Sequence, residues 1–245
     1  IVFGDWSSDV CSSDLDGFIV MSNTVKNDLL KLKPGASFNY HPHPLYDHFG
    51  ARVDKTEARK TLGIPEDKKV LLFFGFIRGY KGLDILLRAL NMLDDSYALV
   101  IAGEVYGSFG EYEAIIAENQ LESRIIKHVR YISDGEVPVY FSASDVCVLP
   151  YKSATQSGII GITYHFGLPV IATDTGSLRE MVEPYEAGMI IDRAEPRMLA
   201  AAIEEYFDKQ LYSVFSGNIE KYKESNNWQT LSEIILELSG RLKPE

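Results

Sequence analysis

Residues 70–90 read VLLFFGFIRGYKGLDILLRAL, and the reading of this stretch decides the fold. Val70 to Phe74 form a continuous apolar run of strand length, the pattern of a strand buried on both faces. A glycine-punctuated turn follows, GFIRGYKG from Gly75 to Gly82. The spacing then predicts a helix over 82–93, with Leu83, Leu86, Leu87 and Leu90 at helical intervals. Outward from this unit the alternation repeats. Strands are expected at 98–102, 125–129, 146–149, 170–172 and 189–191, and helices at 111–119, 135–143, 158–166 and 178–182. Such alternation implies an α/β fold with a doubly wound parallel sheet and right-handed crossovers.

The flanks are less regular. Before the sheet region, Phe18 to Met21 is a short apolar run, and Ser22 is placed to cap a helix that runs to Leu32 and ends at Pro34-Gly35. FNYHPHPLYDHFG (38–50) is rich in Pro and His and reads as a linker. Its three histidines, His41, His43 and His48, invite a metal reading. Pro42 and Pro44 hold the segment extended, however, and no Cys or helical His pair completes a ligand set, so no metal is expected. A helix is expected over 54–62. Beyond the last strand, helices are expected over 196–207 and 221–241, with Trp228 near the start of the final one. Residues 5–15, DWSSDVCSSDL, have no period of either kind and read as a translated sequencing-library adapter. On that reading the natural frame was cut before residue 16. Discounting Asp5, Asp9 and Asp14 then takes the formal charge from -11 to -8. The organisation expected is a non-native leader (1–16), a remnant and linker (17–50), a ligand-binding α/β domain (51–208) and C-terminal helices (209–245).

With 46% hydrophobic and 24% charged residues the chain has the profile of a globular protein with one sizeable core. No apolar run reaches the roughly eighteen residues of a spanning helix. A formal charge of -11 argues against a nucleic-acid partner, which needs basic surface, and against strong attachment to anionic membrane. Two cysteines make no disulfide scaffold, and a cytoplasmic setting is expected. Cys147 falls inside a strand and reads as a small buried hydrophobe.

In a sheet of this kind ligands bind beyond the carboxyl ends of the strands, so the loops after each strand carry the functional information. The loop at Gly75 to Gly82 is neither GxGxxG nor a P-loop, since Lys81 is followed by Gly82. It brings Arg78 and Lys81 to a turn at a helix N-terminus, a combination suited to a diphosphate; an ordinary solvated loop with two surface charges fits the same spacing. LPYKSATQSG (149–158) crowds Ser153, Thr155, Gln156 and Ser157 before an apolar helix. That is more than an N-cap requires and suggests a second wall facing phosphate. ATDTGSLREMV (172–182) adds Thr173, Thr175, Gly176 and Ser177, with Glu180 on the helix behind them. AGEVYGSFGEY (102–112) adds Gly103 and Glu104.

FFGFIRGYKGLDILLRAL, LVIAGE, ASDVCVLPY and GLPVIATDTGSLREMV, in this order, resemble the C-terminal domain of the family-four glycosyltransferases of GT-B fold, the glycosyl transferases group 1. The resemblance runs from about Lys69 to Phe207. It implies a Rossmann-like domain forming one half of a two-domain enzyme. The implied substrate is a nucleotide-diphosphate sugar, held without a bound metal or other cofactor, and transfer retains anomeric configuration. Arg78 and Lys81 match the basic pair on the donor diphosphate, and Gly75 and Gly82 flank that turn, Gly75 letting the loop approach the ligand. Val129 to Ile132, with Tyr131 and Ile132 among the donor-binding residues, match the segment whose backbone meets the nucleobase. Thr155, Gln156, Ser157 and Gly158 match the stretch facing donor sugar and phosphate, with Glu104 added from the neighbouring loop. Many members carry two glutamates seven residues apart before the GxPV block; Ala154 and Ile162 stand there in this chain. The ATQSG sequence resembles a subgroup without the pair. Two readings follow, a different donor grip or an inactive domain.

The resemblance also implies the chemistry. Arg78, Lys81 and the helix start at Gly158 would stabilise the leaving diphosphate, and one such contact is worth on the order of 10² to 10³ in rate. A phosphate oxygen of the leaving group serves as base. The acceptor, a glycan or lipid-linked glycan, would bind mainly to a domain outside this chain. The chain is therefore expected to bind nucleotide without transferring sugar, with peripheral attachment to the inner face of a membrane left open. The helix over 231–238 is expected to pack back on that other domain. Two other readings stand beside the transferase. One is a GT-B epimerase using Glu104 or His128, although His128 in its apolar run also reads as a satisfied core residue. The other is a nucleotide-binding module without catalysis.

Overall fold

The computed structural model describes residues 15–154 and 157–242. These form two compact units, one from Leu45 to Ser225, the other from the residues up to Pro44 together with those from Asn226 onward. The smaller unit pairs β1 (Gly17–Val20) with β2 (Ser37–Tyr40) in parallel, joined through α1 (Asn23–Leu32). Ser22 caps α1 as expected, its Oγ accepting from the Val25 N–H at 3.1 Å. Val20, Leu29 and Ala36 form a small core, and the final helix, α10 (Trp228–Leu242), packs on both strands and buries Leu231 and Leu238. The 38–50 linker reading is corrected at its start. Ser37–Tyr40 is a strand, because Phe38 packs against the small core while Asn39 donates to the Ile234 carbonyl at 3.3 Å.

The larger unit opens with α2 (Lys55–Leu62), capped by Asp54, whose Oδ1 accepts from the Glu57 N–H at 3.0 Å. A six-stranded sheet follows, with β3 (Lys69–Phe74), β4 (Tyr97–Ala102), β5 (Ile125–His128), β6 (Val146–Leu149), β7 (Val170–Thr173) and β8 (Gly188–Ile191). Every pairing is parallel and the spatial order is β5-β4-β3-β6-β7-β8. Between the strands run α3 (Leu83–Leu90), α4 (Gly110–Glu118), α5 (Val137–Ala143), α6 (Gly158–His165) and α7 (Leu178–Val182); α8 (Pro196–Asp208) and α9 (Tyr212–Ser225) close the unit. The chain winds outward from β3 to β5, then returns beside β3 as β6, so the order reverses between β3 and β6.

The apolar run of β3 is explained by two cores, one on each face. Leu71 and Phe73 join Leu83, Leu86, Leu87 and Leu90 of α3. Val70, Leu72 and Phe74 join Tyr140 and Phe141 of α5. With no solvent on either side, alternation disappears and every position turns apolar. Cys147 is fully buried in β6, and burial pushes its thiol up to about 12, so it is an inert packing group. The start of the sheet is tied by Asp145. Its carboxylate accepts from the Val70 N–H at 2.6 Å and from Arg59 Nη2 at 2.9 Å on α2.

Two boundaries differ from expectation. The tail is not one helix over 221–241: it breaks at Asn226-Asn227, where the Asn227 carboxamide oxygen accepts from the Thr230 N–H at 2.9 Å and starts α10. Helix α9 also falls in the sheet unit, with Ile219 and Tyr222 in its core, so the units divide at 44/45 and 225/226 instead of near 50 and 208. Among the described residues no helix is long and apolar enough to cross a membrane.

Candidate functional site

The site lies at the carboxyl ends of β3 and β6, where the strand order reverses, the place at which open α/β sheets leave a crevice. The loop leaving β3 is first held against the loop leaving β4. The Ile77 N–H donates to the Glu104 carbonyl at 2.8 Å and the Tyr106 N–H to the Ile77 carbonyl at 3.0 Å. Gly103 permits this approach, since a Cβ there would stand 2.1 Å from the Gly75 oxygen. A single 3-10 turn, Gly79–Lys81, then delivers the chain to α3 through Gly82, whose φ of +72° is left-handed. A Cβ on Gly82 would lie 1.9 Å from the Pro150 oxygen, and the Lys152 N–H donates to the Tyr80 carbonyl at 2.7 Å. The loops after β3 and β6 therefore share one rim and touch.

Between them opens a cleft of about 730 Å³. Lys81 and Tyr80 line it from the β3 loop; Tyr151, Ser153 and Ala154 from the β6 loop; Ser157, Gly158, Ile159 and Ile162 from the start of α6; and Tyr46, His48 and Phe49 from the segment before α2. Lys81 is only 8% exposed and has no ion pair or hydrogen bond among the described residues. Burial, and after it repulsion from Arg78, lowers its ammonium from the usual 10.5 to about 8. No Asp or Glu is among the described lining residues. A buried cation without a counter-ion among the described residues, sharing a cleft with a helix start and with no carboxylate among the described lining residues, is an anion site by its physics. Ser157 at the N-cap of α6 makes no side-chain cap; its Oγ lies 3.3 Å from the Tyr151 hydroxyl.

The expected site residues separate into groups. Lys81, Ser157 and Gly158 meet in the cleft, and Gly75 stands beside them: a Cβ on it would lie 3.0 Å from Ile159 Cδ1 and 3.5 Å from Lys81 Nζ. Arg78 does not line the cleft. It is exposed, with its guanidinium carbon 4.5 Å from the Tyr106 ring centroid and 5.6 Å from that of Phe76. Glu104, Tyr131 and Ile132 also lie outside the lining. Glu104 engages through its backbone carbonyl, and Tyr131 is 68% exposed. The Ile132 side chain belongs to the core, which leaves only its backbone for a ligand. Thr155 and Gln156 fall outside the described residues. Ala154 and Ile162, the two positions at which the family resemblance implied a departure, do face the cleft. His128 does not; it is half-buried, its Nδ1 is 2.7 Å from the Tyr140 hydroxyl, and burial, then Arg130, lowers its pKa, as for a histidine satisfied within the fold.

The aromatic wall of Tyr46, Phe49, Tyr80 and Tyr151 escaped sequence reading, because half of it comes from a segment that reads as linker. The signal available was Gly158-Ile-Ile-Gly161, two glycines one turn apart in a helix, which ask for something close by. Among the described residues no three His, Cys, Asp or Glu side chains are grouped to hold a metal ion. His41 and His43 instead turn Nδ1 to the Pro42 and Pro44 carbonyls, at 2.5 and 2.6 Å.

Comparison with known proteins agrees with this architecture. The chain is similar to the D-inositol 3-phosphate glycosyltransferases of Xylanimonas cellulosilytica (27% identity over 166 residues, 66% of this chain and 39% of that protein) and Corynebacterium jeikeium (28% over 209 residues, 81% and 50%). It is also similar to the lipopolysaccharide core biosynthesis mannosyltransferase LpsB of Rhizobium meliloti (27% over 170 residues, 65% and 47%). The chain thus spans half or less of the length of these relatives. Solved structures of like fold include Anabaena Alr3699/HepE in complex with UDP (TM-score 0.79, 19% identity, 92% of this chain and 64% of that one). Sucrose-phosphate synthase from Thermosynechococcus elongatus is another (TM-score 0.76, 23% identity, 94% and 59%). At these identities the structural likeness speaks for the fold alone. Residues 54–227, well over half of the sequence and all of the sheet, match the family described as glycosyl transferases group 1, and the chain belongs to that family.

Proposed function

We propose that this chain forms the donor-binding half of a retaining glycosyltransferase that takes a nucleotide-diphosphate sugar. The observation that carries the reading is Lys81: a buried cation without a counter-ion among the described residues, sharing with the start of α6 a cleft where no carboxylate is found among the described lining residues. A diphosphate supplies the missing negative charge. That solved neighbours hold UDP and UDP-glucose supports a donor of this class. As the bond between the anomeric carbon and the phosphate oxygen breaks, negative charge grows on the diphosphate. Lys81 and the α6 N–H groups stabilise it at little reorganisation cost. A phosphate oxygen takes the acceptor proton, so no protein nucleophile is required. We assign Arg78 to the same diphosphate from the rim; its exposed side chain is free of ion pairs among the described residues.

The acceptor, a glycan or lipid-linked glycan, is assigned to a part of the enzyme beyond this chain, since the chain matches half or less of the length of these relatives. A cytoplasmic setting, where nucleotide sugars are made, fits the single free thiol among the described residues. No metal or other cofactor is assigned to the reaction. Titration of UDP, ADP and GDP into the 245-residue chain and into Lys81→Met tests the donor site. A loss of about tenfold or more in affinity for the preferred nucleotide is expected, as for a charged hydrogen bond. Equal affinity for variant and wild type would remove Lys81 from the site. The same preparation, given sugar donors and acceptors, should yield no transferred product; measurable transfer would overturn the division of labour.

A further inference from the structure

Helix α6 carries glycine at both Gly158 and Gly161, although glycine inside a helix is costly. Tyr46 accounts for both. A Cβ on Gly161 would lie 2.9 Å from Cδ2 and 3.0 Å from Cε2 of the Tyr46 ring, and a Cβ on Gly158 would lie 3.2 Å from the phenolic oxygen. The ring therefore lies in a groove made by two missing side chains, with its hydroxyl at the first turn of α6. That hydroxyl is delivered to the cleft that also holds Lys81, a side chain more than nine-tenths buried, without an ion pair or hydrogen bond among the described residues. Ala154 and Ile162 also line this cleft, and neither offers a hydrogen bond from its side chain.

We infer that Tyr46 is a donor-binding residue whose hydroxyl donates a hydrogen bond to a diphosphate oxygen held between Lys81 and the first turn of α6. The inference rests on reading the cleft as a nucleotide-diphosphate site. It assigns the grip on the ligand to a residue that precedes the family's matched segment, which begins at residue 54. The phenol suits this role, because burial raises its pKa above the ordinary value and it keeps its proton through neutral pH and on the alkaline side. The two glycines are then part of the site, because they let the ring reach the helix start.

The test compares the 245-residue chain with Tyr46→Phe, Gly161→Ala and Lys81→Met, titrating UDP, ADP and GDP by calorimetry and recording each thermal midpoint. Tyr46→Phe keeps the ring and removes only the hydroxyl. It should keep the midpoint while weakening the preferred nucleoside diphosphate about tenfold, as expected for a hydrogen bond to a charged group. Gly161→Ala should weaken it as well, by pushing the ring out of its groove. If Tyr46→Phe binds like the wild type while Lys81→Met does not, Tyr46 is overturned and the donor site stands. If the wild type binds none of the three, or Lys81→Met binds as well as it does, the reading of the cleft falls and takes this inference with it.

Discussion

Lys81 concentrates the chemistry of this chain in one side chain. Burial lowers its ammonium to about 8, from a usual 10.5. Between these values the unfolded chain holds a proton that the folded chain has released. The stability of the free protein should therefore rise with pH across that window, by about 1.4 kcal/mol per unit at most. A bound diphosphate acts in the opposite sense, since it favours the charged amine. Nucleotide affinity should be full below about 8 and decline as the pH climbs beyond it, whereas Lys81→Met should show a weaker affinity without that decline. Calorimetry from about pH 6.5 to 9.5, in two buffers of different ionisation enthalpy, would report the proton taken up on binding. At this scale the sequence was readable in part. Arg78 and Lys81 announce a cationic turn together, but only Lys81 lines the cleft, while the Arg78 guanidinium lies exposed over the Tyr106 ring. Spacing in a loop does not encode such directions.

At the scale of elements, the site depends on the close approach of two loops. Gly82 is the point of contact: its φ is left-handed and the Pro150 oxygen occupies the space where a side chain would begin. Gly82→Ala should cost about 3 kcal/mol, combining backbone strain with a forced separation of the loops, and should weaken nucleotide binding as well. Urea denaturation together with nucleotide titration would detect both; a variant as stable as the wild type would show that the loops tolerate separation. The strands β3, β4, β6 and β7 were legible because burial on both faces makes them continuous apolar runs, and α3 because its leucines keep a helical interval. Strand β2 was not. Its SFNY sequence gains strand geometry only by pairing with Gly17–Val20 and packing under α10. The break between α9 and α10 was missed for a related reason: Asn226-Asn227 is a weak stop signal inside a stretch that is polar on both sides.

On the scale of the whole molecule, two units of unequal strength share one chain. The sheet unit has two cores separated by six strands. The smaller unit has two short strands and a core of Val20, Leu29 and Ala36, and two-stranded sheets are marginal by themselves. Hydrogen exchange should reflect this, with amides of β1, β2 and α1 exchanging well before those of β3, β4 and β6. Equal protection in the two units would contradict it. Leu32 and Leu236 are exposed on the smaller unit, at 68% and 71%.

From its sequence this chain determined its class: a parallel sheet, the order of its strands and helices, and a pair of polar loops after β3 and β6. Local composition suffices for these, because burial on both faces and helical spacing are written in consecutive residues. Tertiary structure alone decided that the two loops meet at one rim, that Lys81 and not Arg78 enters the cleft, and that Tyr46 lies along α6. Those facts depend on contacts between residues as much as about a hundred positions apart, and such contacts form only when the strands have taken their places in the sheet.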